Sequence, residues 1–189
     1  ASAGAVSLSS DRGLKIFYSP LHGTGVTTVY PVLKGLGFDV TLCPATSNLS
    51  GAVEKVTFNI PNPEVVESFG ASLPLAKKTA ADILLSTDPD ADRIGIMVNH
   101  RGQWLFLTGN EIAIILTNYA VNRLRAAGRL TPQRVIVKAD VTTALIDTMA
   151  RANNITCIGD LLVGFKYVAE EMNKLEAAGR GSDFIFGCE

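Results

Sequence analysis

Short apolar runs alternate with helically spaced apolar positions along this chain, and the cycle occurs twice. Residues 14–18, Leu-Lys-Ile-Phe-Tyr, are aromatic and β-branched enough to predict a strand. A turn ending in Gly23-Thr24-Gly25 follows. Helical spacing over 26–36 then predicts a helix that Gly37 stops. Residues 38–43 predict a second strand. Residues 44–61 have no period and mix Ser, Thr and Asn, the mark of a long loop, which in a compact domain is usually functional. A helical pattern lies within 63–80, and 82–86 predicts the next strand. Strand, helix, strand, loop, helix, strand is the order of a mostly parallel sheet with helices on its faces.

From 94 to 106 the pattern becomes strand, turn at Asn99-His100-Arg101-Gly102, strand, which predicts an antiparallel hairpin. Thr108-Gly109-Asn110-Glu111 then opens a long amphipathic helix to about 127. Thr108 and Glu111 have capping-box spacing, which accounts for that Glu without chemistry. After Gly128 the cycle restarts with strand 134–138, helix 142–152, strand 155–158, helix 163–175 and strand 184–186. Val26-Thr27-Thr28 and Val141-Thr142-Thr143 open corresponding helices, and Cys43 and Cys157 fall in the strands after them. The expected fold class is α/β: two similar consecutive α/β units, each a mostly parallel mixed sheet flanked by helices. Residues 1–10 read as a linker, 11–106 as the first unit and 107–189 as the second.

Composition narrows the classes. An apolar fraction of 47% supports a buried core. A formal net charge of −1 gives no general attraction for nucleic acid or an anionic membrane. No apolar run approaches the length that spans a bilayer. Residues 1–10 are small and polar, without the basic start and apolar stretch of a signal peptide. Cys43, Cys157 and Cys188 are odd in number, far apart, and each in or beside a strand candidate. Free thiols fit that pattern better than a disulfide and point to a reducing, cytoplasmic setting.

The chemistry concentrates in Ser86-Thr87-Asp88-Pro89-Asp90-Ala91-Asp92-Arg93, a loop between the apolar runs at 83–85 and 94–98. Extended backbone alternates its side chains, so Asp88, Asp90 and Asp92 can project to one side. At about 6 Å and an effective dielectric near 20, each carboxylate pair costs about 3 kcal/mol. Something positive must sit among them. Arg93 supplies one charge, and a hard, oxygen-seeking divalent cation such as Mg²⁺ supplies the rest. An EF-hand loop would need Gly at its sixth position and Glu at its twelfth, where this chain has Arg93 and Asn99. Leu21-His22-Gly23-Thr24-Gly25 also leads from a strand into a predicted helix. Its glycines suit an anion at a helix N-terminus, or simply a tight turn.

The acidic octet resembles the metal-binding loop of the phosphohexomutases, the phosphoglucomutase and phosphomannomutase family, and looks closest to the phosphoglucomutase-2-like and phosphopentomutase branch. The resemblance also rests on Tyr18-Ser19-Pro20-Leu21-His22-Gly23-Thr24-Gly25, Pro61-Asn62-Pro63-Glu64, Thr108-Gly109-Asn110-Glu111, Val163-Gly164-Phe165-Lys166 and Phe186-Gly187-Cys188-Glu189, in the family's order. It implies that Asp88, Asp90 and Asp92 hold Mg²⁺, that Arg93 acts on the phosphoryl group, and that Glu189 meets sugar hydroxyls. Lys166 would face the substrate or be an ordinary solvated helix lysine. Val163 departs from the Thr usual before that Gly. The implied reaction moves phosphate between the 1- and 6-positions of a hexose phosphate, with a glucose 1,6-bisphosphate-type activator. The family's phosphoserine segment has no counterpart here. The chain is therefore expected to be a central piece, inactive alone, whose first and last domains lie elsewhere on the polypeptide. Two other classes compete. One is a Mg²⁺-dependent phosphatase of haloacid dehalogenase type, with Asp88 as nucleophile and Lys138 and Asp160 as partners; the other is a non-catalytic sugar-phosphate-binding module.

Overall fold

Each half of the chain builds its own sheet. The computed structural model describes residues 13–49, 51, 56 and 60–189, and the chain divides into Ala1–Gly109 and Asn110–Glu189. The expected linker at 1–10, and part of the loop expected at 44–61, lie outside the described residues. Among the described residues no helix is long and apolar enough to cross a membrane.

In the first unit the strands are β1 (Lys15–Ser19), β2 (Asp39–Leu42), β3 (Ile83–Thr87), β4 (Ile94–His100) and β5 (Gln103–Leu107). Their order in the sheet is β2-β1-β3-β4-β5. β1 runs parallel to both β2 and β3, while β4 runs antiparallel to its neighbours β3 and β5. A parallel centre thus carries an antiparallel edge that includes the expected hairpin. β1 is buried from Ile16 to Ser19, as a central strand covered on both faces must be. Phe17 and Leu84 pack with Met97, Phe69 and Ala76 on one side. Ile16, Tyr18 and Leu85 pack on the other against Val29 and Leu33.

The helices of this unit are shorter than their apolar spacing predicts. A 3-10 turn at Thr24–Val26 precedes α1 (Val29–Gly35) instead of one helix over 26–36. The hydroxyls of Thr27 and Thr28 both donate to the Thr24 carbonyl, at 2.9 and 3.0 Å, which favours a tight turn over a continuing helix. Within 63–80 a 3-10 turn at Val66–Phe69 is followed by α2 (Leu73–Lys78). Pro74 sits in the first turn of α2, where its missing N–H costs nothing, and prevents a helix from running through.

The second unit has α3 (Gly109–Ala126), β6 (Val135–Ala139), α4 (Leu145–Ala152), β7 (Thr156–Leu161), α5 (Phe165–Ala177) and β8 (Phe184–Cys188). Its sheet order β7-β6-β8 is parallel throughout and repeats the β2-β1-β3 order of the first unit. β6 is buried along its whole length. Ile136 packs with Val121 and Ile146 on one face, and Val135 and Val137 pack with Val168 and Leu175 on the other.

One charge lies inside this second sheet. Lys138, on β6, is 4% exposed, and its Nζ lies 3.3 Å from Asp147. It also donates to the carbonyls of Thr142 and Gly159, both at 3.2 Å. Three N–H groups therefore meet three acceptors, which is what a buried ammonium requires. Gly159 makes the room, since a Cβ there would fall 2.8 Å from an Asp147 oxygen and 2.9 Å from Lys138 Cε. Cys157 is beside the same group. Burial, and then the Asp147 carboxylate, push its thiol up to about 12, and burial pushes Cys188 up to about 11. Both stay protonated, and all three cysteines are free.

Removing Lys138 strands Asp147 and two carbonyls. Lys138→Met is expected to lower stability by about 3 kcal/mol, seen as a lower midpoint in urea unfolding. The double variant Lys138→Met/Asp147→Leu should recover part of that loss, because it removes both charges together.

Candidate metal centre

Asp88 directly follows β3, so the sheet itself places it. The chain then turns through Pro89 and Asp90, with the Ala91 N–H donating to the Asp88 carbonyl at 3.1 Å and Ala91 at a φ of +63°. One carboxylate oxygen from each of Asp88, Asp90 and Asp92 lies within 4.8 Å of the others. Asp88 is buried, whereas Asp90 and Asp92 are exposed.

A buried carboxylate needs donors, and Arg93 provides two. Its backbone N–H reaches Asp88 Oδ1 at 3.1 Å and its Nε reaches Oδ2 at 2.8 Å. Burial alone would push the Asp88 carboxyl up. The two N–H bonds, with the guanidinium charge, outweigh burial and hold it below the usual carboxylate range. Asp92 goes the other way. Partial desolvation, a hydrogen bond with Asp88 and the charges of Asp88 and Asp90 raise its carboxyl. Arg93 Nε, 3.8 Å from Asp92, offsets only part of this. The bond to Asp88 also raises the Arg93 guanidinium, which stays a cation.

The loop keeps its shape because another loop lies directly against it. Pro20 to Gly23 forms a tight turn, with the Gly23 N–H on the Pro20 carbonyl at 2.8 Å and positive φ at Leu21 and His22. The next residue, Thr24, donates its N–H to the Pro89 carbonyl at 2.8 Å and its hydroxyl to the same oxygen at 3.1 Å. A Cβ on Gly23 would lie 2.2 Å from Pro89 Cα, so glycine is required for this approach. Gly25 leaves room for the Tyr18 hydroxyl, which hydrogen-bonds Thr87 at 2.7 Å beneath the acidic loop. The two loops meet at one sheet edge. The N–H groups of His22, Gly23 and Thr24 are taken by the carbonyls of Thr46, Pro20 and Pro89, which favours the tight-turn reading of these glycines over anion binding. His22 is buried, and its Nδ1 donates to the Asn48 carbonyl at 3.0 Å, tying down the chain beyond β2.

Beside the acidic loop is a cavity of about 530 Å³, whose walls include Thr24, Asp88, Asp90 and Arg93. Ile60, Pro61 and Asn62 close another side. The motif Pro61-Asn62-Pro63-Glu64 marked this segment without assigning it a role. Structure adds one contact there: Glu64 Oε2 lies 3.7 Å from Arg93 Nη1.

In the second unit Glu189 directly follows β8, and its Oε2 accepts the Gly164 N–H at 2.7 Å. Gly164 precedes α5 at a φ of +128°, a backbone conformation that favours glycine. Lys166 is exposed in the first turn of α5, with Nζ 4.9 Å from the Tyr167 ring centre. Glu189 and the Gly164 loop are therefore joined, while Lys166 rests on its neighbouring ring. Lys138 cannot serve a phosphatase reaction, because Asp147 and two carbonyls occupy its ammonium. Both oxygens of Asp88 are likewise engaged by Arg93, which disfavours a nucleophilic role.

The three carboxylates fit Mg²⁺. An octahedral ion with oxygens at about 2.0–2.1 Å sets its ligands about 3 to 4 Å apart, a small contraction from the spacing found. Without a cation the two exposed acids are in conflict. A raised carboxyl such as Asp92 contributes stability below its unfolded value and loses it as pH rises through its folded value, so ionised Asp92 costs stability at neutral pH. Asp88, held low, contributes stability at neutral pH that disappears as pH falls through its folded value. In EDTA at pH 7, Asp92→Asn is expected to raise the melting temperature by about 2–4 °C at most. Asp88→Asn should lower stability by about 2 kcal/mol.

Sequence comparison matches residues 2–102 to the model described as phosphoglucomutase/phosphomannomutase, alpha/beta/alpha domain II, and residues 108–189 to that family's domain III. A phosphoglucomutase of Staphylococcus epidermidis is 32% identical over 182 residues, which is 93% of this chain and 31% of that protein. One from Staphylococcus aureus is 34% identical over 169 residues, 86% of this chain and 29% of that protein. The chain thus spans about a third of these curated relatives. The fold is similar to that of a Thermus thermophilus protein assigned as a phosphomannomutase. The TM-score is 0.71 at 22% identity, covering 95% of this chain and 37% of that one. With both of its α/β units matched in the family's own order, the chain belongs to the phosphoglucomutase/phosphomannomutase family.

Proposed function

We propose that this chain is the central part of a Mg²⁺-dependent phosphosugar mutase that moves phosphate between the 1- and 6-positions of a hexose phosphate. The observation that carries the reading is the cluster of Asp88, Asp90 and Asp92 carboxylates beside a cavity that Asp88, Asp90 and Arg93 line. Glucose is the favoured sugar, since the similar Staphylococcus proteins are phosphoglucomutases. The phosphoserine and the remaining domains would lie elsewhere on a longer polypeptide, and a glucose 1,6-bisphosphate-type activator would sustain turnover. The free, protonated thiols suit the cytoplasm.

Asp88, Asp90 and Asp92 would hold Mg²⁺, which when bound supplies charge neutralisation to the phosphoryl oxygens. Asp88 is the fixed ligand, anchored by Arg93, while Asp90 and Asp92 adjust around it. Arg93 uses its Nε on Asp88 and would present its terminal nitrogens, with Glu64 3.7 Å from Nη1, to phosphoryl oxygens. In the second unit Glu189 would accept hydrogen bonds from sugar hydroxyls. Lys166, leaving Tyr167, would offer a cation to the sugar's phosphate.

Calorimetry on this chain should show Mg²⁺ binding no tighter than about millimolar, because three carboxylates leave several coordination positions to water. Asp90→Asn should abolish it, and undiminished binding would remove the loop from the site. In the intact polypeptide, Arg93→Lys should lower kcat by about 10²-fold in a coupled glucose 1-phosphate assay. The 189-residue chain alone should stay at background in that assay.

A further inference from the structure

Arg93 is held from two directions. Asp88 takes its Nε at 2.8 Å, and Glu64 stands 3.7 Å from Nη1. A guanidinium bonded only at Nε can still swing about that point, whereas a carboxylate near Nη1 biases its direction. Glu64 reaches that position on a segment tied by local hydrogen bonds. The Ser68 hydroxyl donates to the carbonyls of Ile60 and Asn62, at 3.2 and 2.5 Å. Asn62 Oδ1 accepts the Glu64 N–H at 2.9 Å. The Pro63 carbonyl sits against Gly95, where a Cβ would come within 2.0 Å of it. Gly95 lies two residues after Arg93, so the segment carrying Glu64 is keyed to the strand that Arg93 leads into.

A carboxylate beside a phosphate site is electrostatically adverse unless it does something else. We propose that Glu64 is a positioning residue that holds the Arg93 guanidinium by Nη1, keeping the cavity-lining part of Arg93 in one orientation for phosphoryl oxygens. This rests on the reading of Arg93 as a phosphoryl ligand. It carries a distinctive sign. If Glu64 were merely a nearby negative charge, neutralising it would tighten phosphate binding. If it aims Arg93, neutralising it weakens binding even though a repulsive charge has gone.

The test uses the 189-residue chain with saturating Mg²⁺ and inorganic phosphate as probe, comparing wild type, Glu64→Gln and the equal charge change Glu67→Gln. Phosphate should bind Glu64→Gln about threefold more weakly, the size a partly exposed ion pair can carry. Glu67→Gln should bind as tightly as wild type or slightly tighter. Nitrogen-15 spectra of the ligand-free chain give a second readout. The terminal nitrogens of Arg93 should exchange faster in Glu64→Gln, while Nε, held by Asp88, stays protected. Mg²⁺ affinity and melting temperature should not move. Equal or tighter phosphate binding by Glu64→Gln, or a parallel loss of Mg²⁺, would overturn the positioning role alone. A wild-type chain that takes Mg²⁺ but no phosphate would instead overturn the reading of Arg93, and this inference with it.

Discussion

A backbone contact without an intervening side chain underlies the whole first unit. Gly23 lies against Pro89, and Thr24 gives the Pro89 carbonyl two hydrogen bonds. These residues sit on loops leaving β1 and β3, neighbouring parallel strands whose carboxyl ends point the same way. Such an edge is where open α/β sheets bind ligands. Here it also supplies a rigid wall that keeps the acidic loop from opening. Without that wall, repulsion among three carboxylates would spread the loop.

Repulsion is managed by dividing roles rather than by cancelling charge. Asp88 is buried and held as an anion by Arg93; Asp92 remains in water and keeps a raised affinity for a proton. The loop thus retains unrelieved strain of an electrostatic kind, at a place where a cation would remove it. On the proposed reading, binding and stability pull in opposite directions at Asp92.

Much of this was legible in the residues. Apolar spacing located each of the eight strands among the described residues to within a few positions, because each carries a short apolar stretch bounded by turn residues or helix patterns. Three alternating Asp closed by Arg located the acidic loop for a simple electrostatic reason. What escaped were features that depend on tertiary contact or on local hydrogen bonding. Thr27, Thr28 and Pro74 cut the predicted helices into 3-10 turns and short α-helices, by hydroxyl bonds and a missing donor. The job of Gly23 could not be separated from anion binding until Pro89 was seen against it. Glu64 stood in a motif that gave it no role, since its partner is 29 positions away in sequence and close only because Gly95 lets Pro63 approach.

Because the sheets share the order β2-β1-β3 and β7-β6-β8, Asp88 after β3 and Glu189 after β8 occupy the same topological slot. The slot holds an acid both times, in opposite surroundings: Asp88 is sealed beneath a guanidinium, and Glu189 is open to water and bonded to a glycine N–H. On the proposed reading, a single architectural position serves reactivity in one unit and recognition in the other. Changes of sugar preference can then accumulate around Glu189 while the reacting half stays untouched, so one ancestral scaffold could diversify its substrates without rebuilding its chemistry.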